Sequence, residues 1–206
     1  MADRRHGPAA PETTSEIRSE DWYGDDVSGN EYANVMFRDV DMTELVDQGA
    51  VFTECVFRGV RFNASKHVDA AFLNCWFSGC TFFDASFTGC KLVGSMFERS
   101  SFDLLKVDGG DWSFTGLPGA DLRRASFSDV RMREADLTGA RADGGELVRV
   151  DLSGAWLHNV NFSRCDLRGS DLSALDPVSC ELGGAIINWE QSVVIASALG
   201  LDVRPD

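Results

Sequence analysis

The chain is short of most of the features that announce an activity. No apolar run reaches the ~18–20 residues of a membrane span. Basic side chains number 19 against 33 acidic ones, a formal charge of −14. The cationic face that sequence-independent binding to DNA, RNA or anionic lipid requires is therefore missing, and direct nucleic-acid or membrane contact is not expected. Histidines are only three, His6, His67 and His158. No phosphate loop, zinc spacing or nucleophile–base pair can be read around them, so the reading is a non-enzyme without metal or cofactor. The segment Met1–Ser15 has arginines and prolines but no apolar stretch of the signal-peptide kind, which makes a soluble cytoplasmic protein the expectation.

What is present is lopsided. Phe occurs 14 times and Tyr twice, Gly 20 times and Pro five, and six Cys occur without an export signal. From Trp22 onward every fifth residue forms one register, through Phe37, Phe52, Phe57, Phe62, Phe72, Phe77, Phe82, Phe87, Phe97 and Phe102 to Leu137, Leu152, Phe162, Leu172 and Ile187. Of its 34 positions 30 carry a large apolar side chain, and twelve of the 14 Phe fall on it. Two residues earlier the chain places small residues, among them Ala50, Ala70, Ser95, Ala135 and all six cysteines (Cys55, Cys75, Cys80, Cys90, Cys165, Cys180). Asp often stands between the two and Gly often closes the unit, as in Ala135-Asp136-Leu137-Thr138-Gly139.

A period of five cannot be a helix, where it would smear apolar side chains around the axis, nor a strand, which needs longer alternation. It fits three extended residues with both ends pointing inward, followed by a turn. Such units wind into a solenoid in which each layer contacts only its neighbours, ~4.8 Å away. The cysteines then line a buried small-residue ladder. Without an export signal, a reduced ladder is expected.

The pattern of small residue, Asp or Asn, Leu or Phe, polar residue and Gly resembles the pentapeptide-repeat proteins, across about Glu20 to Trp189. That resemblance implies an all-β solenoid, a right-handed quadrilateral β-helix with twenty residues per coil. It gives about eight and a half coils and a rod roughly 40 Å long. The expected organisation is a disordered polar tail over 1–19, the solenoid over 20–187, and a carboxy-terminal helical cap over 188–206. Asn188 and Gln191 read as a cap for that helix and Gly200 as its stop. Its apolar residues Trp189, Val193, Val194, Ala198, Leu199 and Leu201 exceed what one solenoid end can cover, and they point to a two-fold homodimer.

Two positions break the apolar register, Asp47 and His67, twenty residues apart. The expected accommodation is a local bulge of 46–49 and 66–69 that spares a buried charge; the alternatives are a polar inclusion or a protruding recognition loop. Ala142, 105–110 and 115–119 with Pro118 are further irregular places.

Acidic residues just before the apolar position read as outward and solvated; for any single one the alternative is a structural turn or side-chain hydrogen bond. Asp21, Asp26, Glu31, Asp41, Asp111, Asp121, Asp136, Asp151 and Asp171, with Asp25 one place earlier in its unit, are the candidate partner-binding residues. The charge is uneven, −8 over residues 1–60 (13 acidic, 5 basic), zero over 61–110 and −4 over 111–189 (12 acidic, 8 basic). Within the family the chain is similar to the mycobacterial fluoroquinolone-resistance (MfpA-type) proteins and, more loosely, to the Qnr proteins. Carrying that likeness are 52–55 (Phe-Thr-Glu-Cys), 65–67 (Ser-Lys-His), 175–178 (Leu-Asp-Pro-Val) and 196–201. The resemblance implies a dimeric duplex-DNA mimic that occupies the DNA-binding surface of DNA gyrase, a type II topoisomerase, and protects it from quinolone-type poisons.

Overall fold

The computed structural model describes residues 9–204. Every strand pairing in it is parallel and steps by twenty residues. One side of the solenoid carries strands Ser15–Arg18, Val35–Arg38, Val56–Arg58, Trp76–Ser78 and Met96–Glu98. A second carries six strands from Val46–Gln48 to Glu146–Val148, and a third carries Glu31–Ala33, Val51–Thr53 and Ala71–Leu73. The fourth is held by single bridges, Asp21 to Asp41 to Arg61 to Thr81 to Ser101. The ladder Asp26, Val46, Lys66, Ser86, Lys106, Ser126, Glu146, Asp166, Ile186 has nine rungs. Eight steps of ~4.8 Å make it roughly 38 Å long.

The five-residue unit has a conformational cause. Most solenoid residues whose numbers end in 4 or 9 adopt left-handed backbone, as glycines such as Gly79 (φ 65°) and Gly139 (φ 68°) and as other residues such as Asn34 (φ 53°) and Asp84 (φ 54°). That turn redirects the chain by one side, and Gly is frequent there because it alone carries no Cβ penalty. Gly110 is different. It stands on the small-residue ladder, with φ 90°, and a Cβ there would lie 2.1 Å from the Cys90 carbonyl oxygen. Gly110→Ala is expected to cost roughly 3 kcal/mol or more in urea unfolding, from strain and overpacking together. Gly119→Asn, where nothing lies within 4 Å of a Cβ, should cost under about 1 kcal/mol.

Inside, rings stack over rings. Phe37, Phe57, Phe77 and Phe97 follow one another at 4.9, 4.7 and 4.6 Å between centroids, within 7° of parallel. Neighbouring columns meet edge to face, as Phe57 does Phe62 at 5.5 Å. Both are favourable ring geometries, and the coil rise dictates the first. The cysteine ladder is also explained. Cys75 Sγ donates to the Phe52 carbonyl (3.3 Å) and Cys80 Sγ to that of Phe57 (3.4 Å). Ser95 and Ser170 make the same bond to Phe72 and Leu147. A small donor is what the site asks for, so Cys and Ser exchange along the chain. All six thiols are free. Burial pushes those of Cys80, Cys90 and Cys165 up to about 12, which keeps them protonated and unreactive.

Three expectations need correction. The solenoid starts before residue 20: Ser15–Arg18 is a strand paired with Val35–Arg38, and Ile17 packs against the core. The tail reading therefore fails for these residues, and residues 1–8 lie outside those described. Ala142 and Leu105 are buried at 1% exposure, so neither interrupts the lattice, and Pro118 sits exposed in a turn. Third, 46–49 and 66–69 do not bulge. Val46–Gln48 and Lys66–Val68 are regular paired strands, with Asp47 and His67 directed into the core.

Candidate partner-binding surface

Eight of the ten candidate acidic residues are occupied locally. The carboxylate of Asp21 accepts the amide of Tyr23 (3.1 Å), Asp26 that of Ser28 (2.9 Å) and Asp41 that of Thr43 (3.0 Å). Asp111, Asp121, Asp136, Asp151 and Asp171 each do the same two residues on. These are side-chain-closed turns, which explains why Asp recurs before the apolar residue. Four of the eight also pair with Arg: Asp41 with Arg61 (2.6 Å), Asp111 with Arg131 (3.0 Å), Asp121 with Arg123 and Arg141 (both 2.7 Å), and Asp151 with Arg133 (2.6 Å). The eight stay at the surface, Asp21, Asp26 and Asp171 exposed and the rest half-buried, but each also closes a turn. They are structural first.

Nor do the ten form a single face. Asp21, Asp41 and Asp121 lie on one side of the rod; Glu31, Asp111, Asp151 and Asp171 on another; Asp26 on a third; and Asp136 on the fourth between Gly116 and Trp156. What is concentrated is charge along the axis. Residues 20–49 hold nine acidic side chains against Arg38 alone, −8 of the total −14. Beyond residue 110 acidic and basic residues alternate on the ladders, as in Asp111, Arg131, Asp151. In the first two coils Asp25 and Glu31 are exposed on the flanks.

The arginine pairs leave a measurable trace. Its hydrogen bond to Arg61 pulls the Asp41 carboxyl down to about 2, and Asp121, Asp129 and Asp166 are lowered by Arg123, Arg149 and Arg168. A depressed folded-state value stabilises above the unfolded value, near 4, and that stability is lost as pH falls toward 2. Thermal melts should therefore decline between about pH 4 and pH 2, and Asp41→Asn should shrink that decline.

At the other end the helix Trp189–Ala198 closes the solenoid. Asn188 caps it and Gln191 completes a reciprocal capping box. Gly200 and Leu201 donate back to the Ser197 and Ala196 carbonyls, a Schellman stop. Gln191, buried, also donates to the Leu167 and Ser170 carbonyls at 2.6 and 2.7 Å, which ties the helix to the last coil. Outside lie Trp189 (80% exposed), Val194, Ala198, Leu199 and Leu201, while Val193 is half-buried.

The polar inclusion that the sequence offers as an alternative at Asp47 and His67 is what forms, with Ser65 as a third member that sequence reading missed. His67 Nδ1 meets Asp47 Oδ2 at 2.5 Å, and His67 Nε2 meets Ser65 Oγ at 2.9 Å. The single Ser65 hydroxyl hydrogen goes to the Phe62 carbonyl (2.7 Å). That accounting makes Ser65 the acceptor and His67 Nε2 the donor. The order is that of a hydrolase triad, but with Nε2 donating to Ser65 it holds no nucleophile–base pair. All three residues are also at most 1% exposed, and no substrate carbonyl can reach Ser65. The array is a polar inclusion in the ring stack, with His67 lying on Phe87 at 4.4 Å. The signal was available, because two polar breaks twenty apart in this lattice must touch.

The family model for pentapeptide repeats, in eight copies, matches residues 113–142 and 146–176. Those two segments carry the pentapeptide repeats of that family. Among curated relatives, MfpA of Mycolicibacterium smegmatis, itself a pentapeptide repeat protein, is 45% identical over 47 residues, 23% of this chain and 25% of that one. The match thus spans about a quarter of that relative's length. Among solved structures, HetL of the cyanobacterium Nostoc, a pentapeptide repeat protein involved in heterocyst differentiation regulation, aligns over 90% of this chain and 87% of its own. Its TM-score is 0.57 at 16% identity, a likeness of fold. QnrB1, a plasmid-mediated fluoroquinolone resistance protein, covers 92% of this chain and 99% of its own at 21% identity, with a TM-score of 0.39. Among the described residues no group of three or more His, Cys, Asp or Glu is placed to hold a metal ion. No helix among them is long and apolar enough to cross a membrane.

Proposed function

We propose that this protein is a non-enzymatic, cytoplasmic mimic of duplex DNA that binds DNA gyrase and protects it from fluoroquinolone-type inhibitors. The observation that carries the proposal is the anionic amino-terminal end of a straight rod, −8 within residues 20–49. A cationic DNA-binding cleft would be steered to that end. The local likeness to MfpA supports the choice of partner. A homodimer formed through Trp189, Val194, Leu199 and Leu201 would place the two anionic ends outermost. It would double the rod to roughly 80 Å, carrying 2 × −14 = −28. A duplex of that length carries roughly 47 charges at one per ~1.7 Å.

Purified protein is expected to inhibit gyrase supercoiling and to reduce quinolone-stabilised cleavage. If stoichiometric excess leaves both unaltered, the proposal falls. Sedimentation should give twice the 22.5 kDa chain mass, and Trp189→Glu with Leu201→Glu should return a monomer. A monomeric parent would remove the dimer from the proposal. The rival reading is a scaffold for another protein, favoured by the side of the rod where Met36, Val56, Trp76 and Met96 replace charge. A pull-down yielding such a partner and no topoisomerase would select it.

A further inference from the structure

That same side holds a cavity of about 610 Å³, within the size range of small-molecule sites. Its floor is the corner column Asn34, Glu54, Asn74 and Gly94, one residue per coil, which makes it roughly 14 Å long over three steps. Trp76 and Met96 form one wall. The opposite wall is the chain segment Pro11, Glu12 and Thr14, laid lengthwise along the column. Two features hold the slot open. Thr14 donates to the Asn34 carbonyl (2.7 Å), and the Asn34 amide bridges the walls by donating to the Glu12 carbonyl (3.3 Å) and to Glu54 Oε2 (3.0 Å). Met96 is seated over Gly116, its methyl lying where a side chain at 116 would begin.

The lining includes two carboxylates, Glu12 and Glu54, and no Lys, Arg or His. Such a slot rejects anions. Two carboxylates beside an indole and a thioether suit a cation on an apolar stem better than a hydrated metal ion. We infer that this slot binds a linear polyamine, with ammonium groups on Glu54 and Glu12 and the methylene stem along Trp76 and Met96. Its elongation along the axis matches a chain of ammonium groups better than a compact monocation. The two carboxylates stand on neighbouring coils at the Asn34 end, where they take two ammonium groups of one amine, and the rest of the methylene stem runs on along the indole and the thioether.

The test is a titration of the full chain with spermidine at fixed ionic strength, following the indole N–H resonance of Trp76. A saturable shift with one spermidine per chain is expected. Glu54→Gln should weaken binding about tenfold, and Trp76→Leu about threefold. Glu146→Gln, an exposed carboxylate on another side, should leave it unchanged. Melting curves of each variant verify that the fold is retained. The inference is overturned by no Trp76 shift up to about 10 mM spermidine, or by equal weakening in Glu146→Gln. Tighter binding of N-acetyl-arginine amide than of spermidine would overturn it too, since the slot would then belong to a peptide side chain. None of these outcomes depends on gyrase, so this inference and the proposed function stand or fall separately.

Discussion

His67→Phe is expected to destabilise the protein by about 3–5 kcal/mol, because it strands the Asp47 carboxylate in a dry stack of rings. At this chain length that is a fall in Tm of about 10 °C or more. Asp47 already has one oxygen, Oδ1, without a hydrogen-bond partner, so the loss of His67 leaves nothing to offset its burial. The double variant Asp47→Leu/His67→Phe should recover to within about 1–2 kcal/mol of the parent, or exceed it, since apolar replacement of a buried pair is often neutral or stabilising. Ser65→Ala removes the acceptor of His67 Nε2 and should cost about 1–3 kcal/mol. Urea unfolding of the four proteins measures all of this. A single-variant loss below about 1 kcal/mol would mean that the carboxylate escapes to water, contrary to its burial.

The second large effect concerns binding. Asp25→Lys with Glu31→Lys changes the charge of residues 20–49 from −8 to −4, without removing any of the turn-closing carboxylates. Affinity for gyrase should fall by about tenfold or more at low salt, and the difference should fade toward 1 M salt, where the screening length is about 3 Å. Tm should be unchanged. Reversing Asp21, Asp26 and Asp41 should instead lower Tm, because each loses a turn hydrogen bond and Asp41 also loses Arg61. Supercoiling inhibition measured beside thermal melts separates the two classes. Full inhibition by the Asp25/Glu31 variant would contradict electrostatic mimicry by this end.

The difference between those variants marks how far sequence reading reached. The lattice was legible because one steric unit recurs without a slip. Apolar and small positions could be assigned residue by residue, and the Phe columns followed. Carboxylate roles were not legible, because an Asp that closes its own turn and an Asp that awaits a partner occupy the same place in the repeat. Only the amide two residues on distinguishes them. At Asp47 and His67, twenty apart and so stacked on successive coils, a bulge was preferred to the polar inclusion that forms, because the cost of a buried charge was weighed without the partner that offsets it. Ile17 shares the register that begins at Trp22, and it could have moved the start of the solenoid five residues earlier. The slot beside Trp76 had no sequence signature, because one wall comes from residues 11–14 and the other from residues 76 and 96.

The parallel ladders carry a consequence for how such a chain can change length. Every rung repeats at twenty residues, so excising a block of that size, 86–105 for instance, would splice one layer onto an equivalent one and trim the rod by ~4.8 Å. Losing a single five-residue unit would instead rotate everything downstream by a quarter of the circumference, and the anionic flanks would no longer line up with the terminal apolar plate. Such a protein behaves as a graduated ruler, whose span can be reset only in whole divisions.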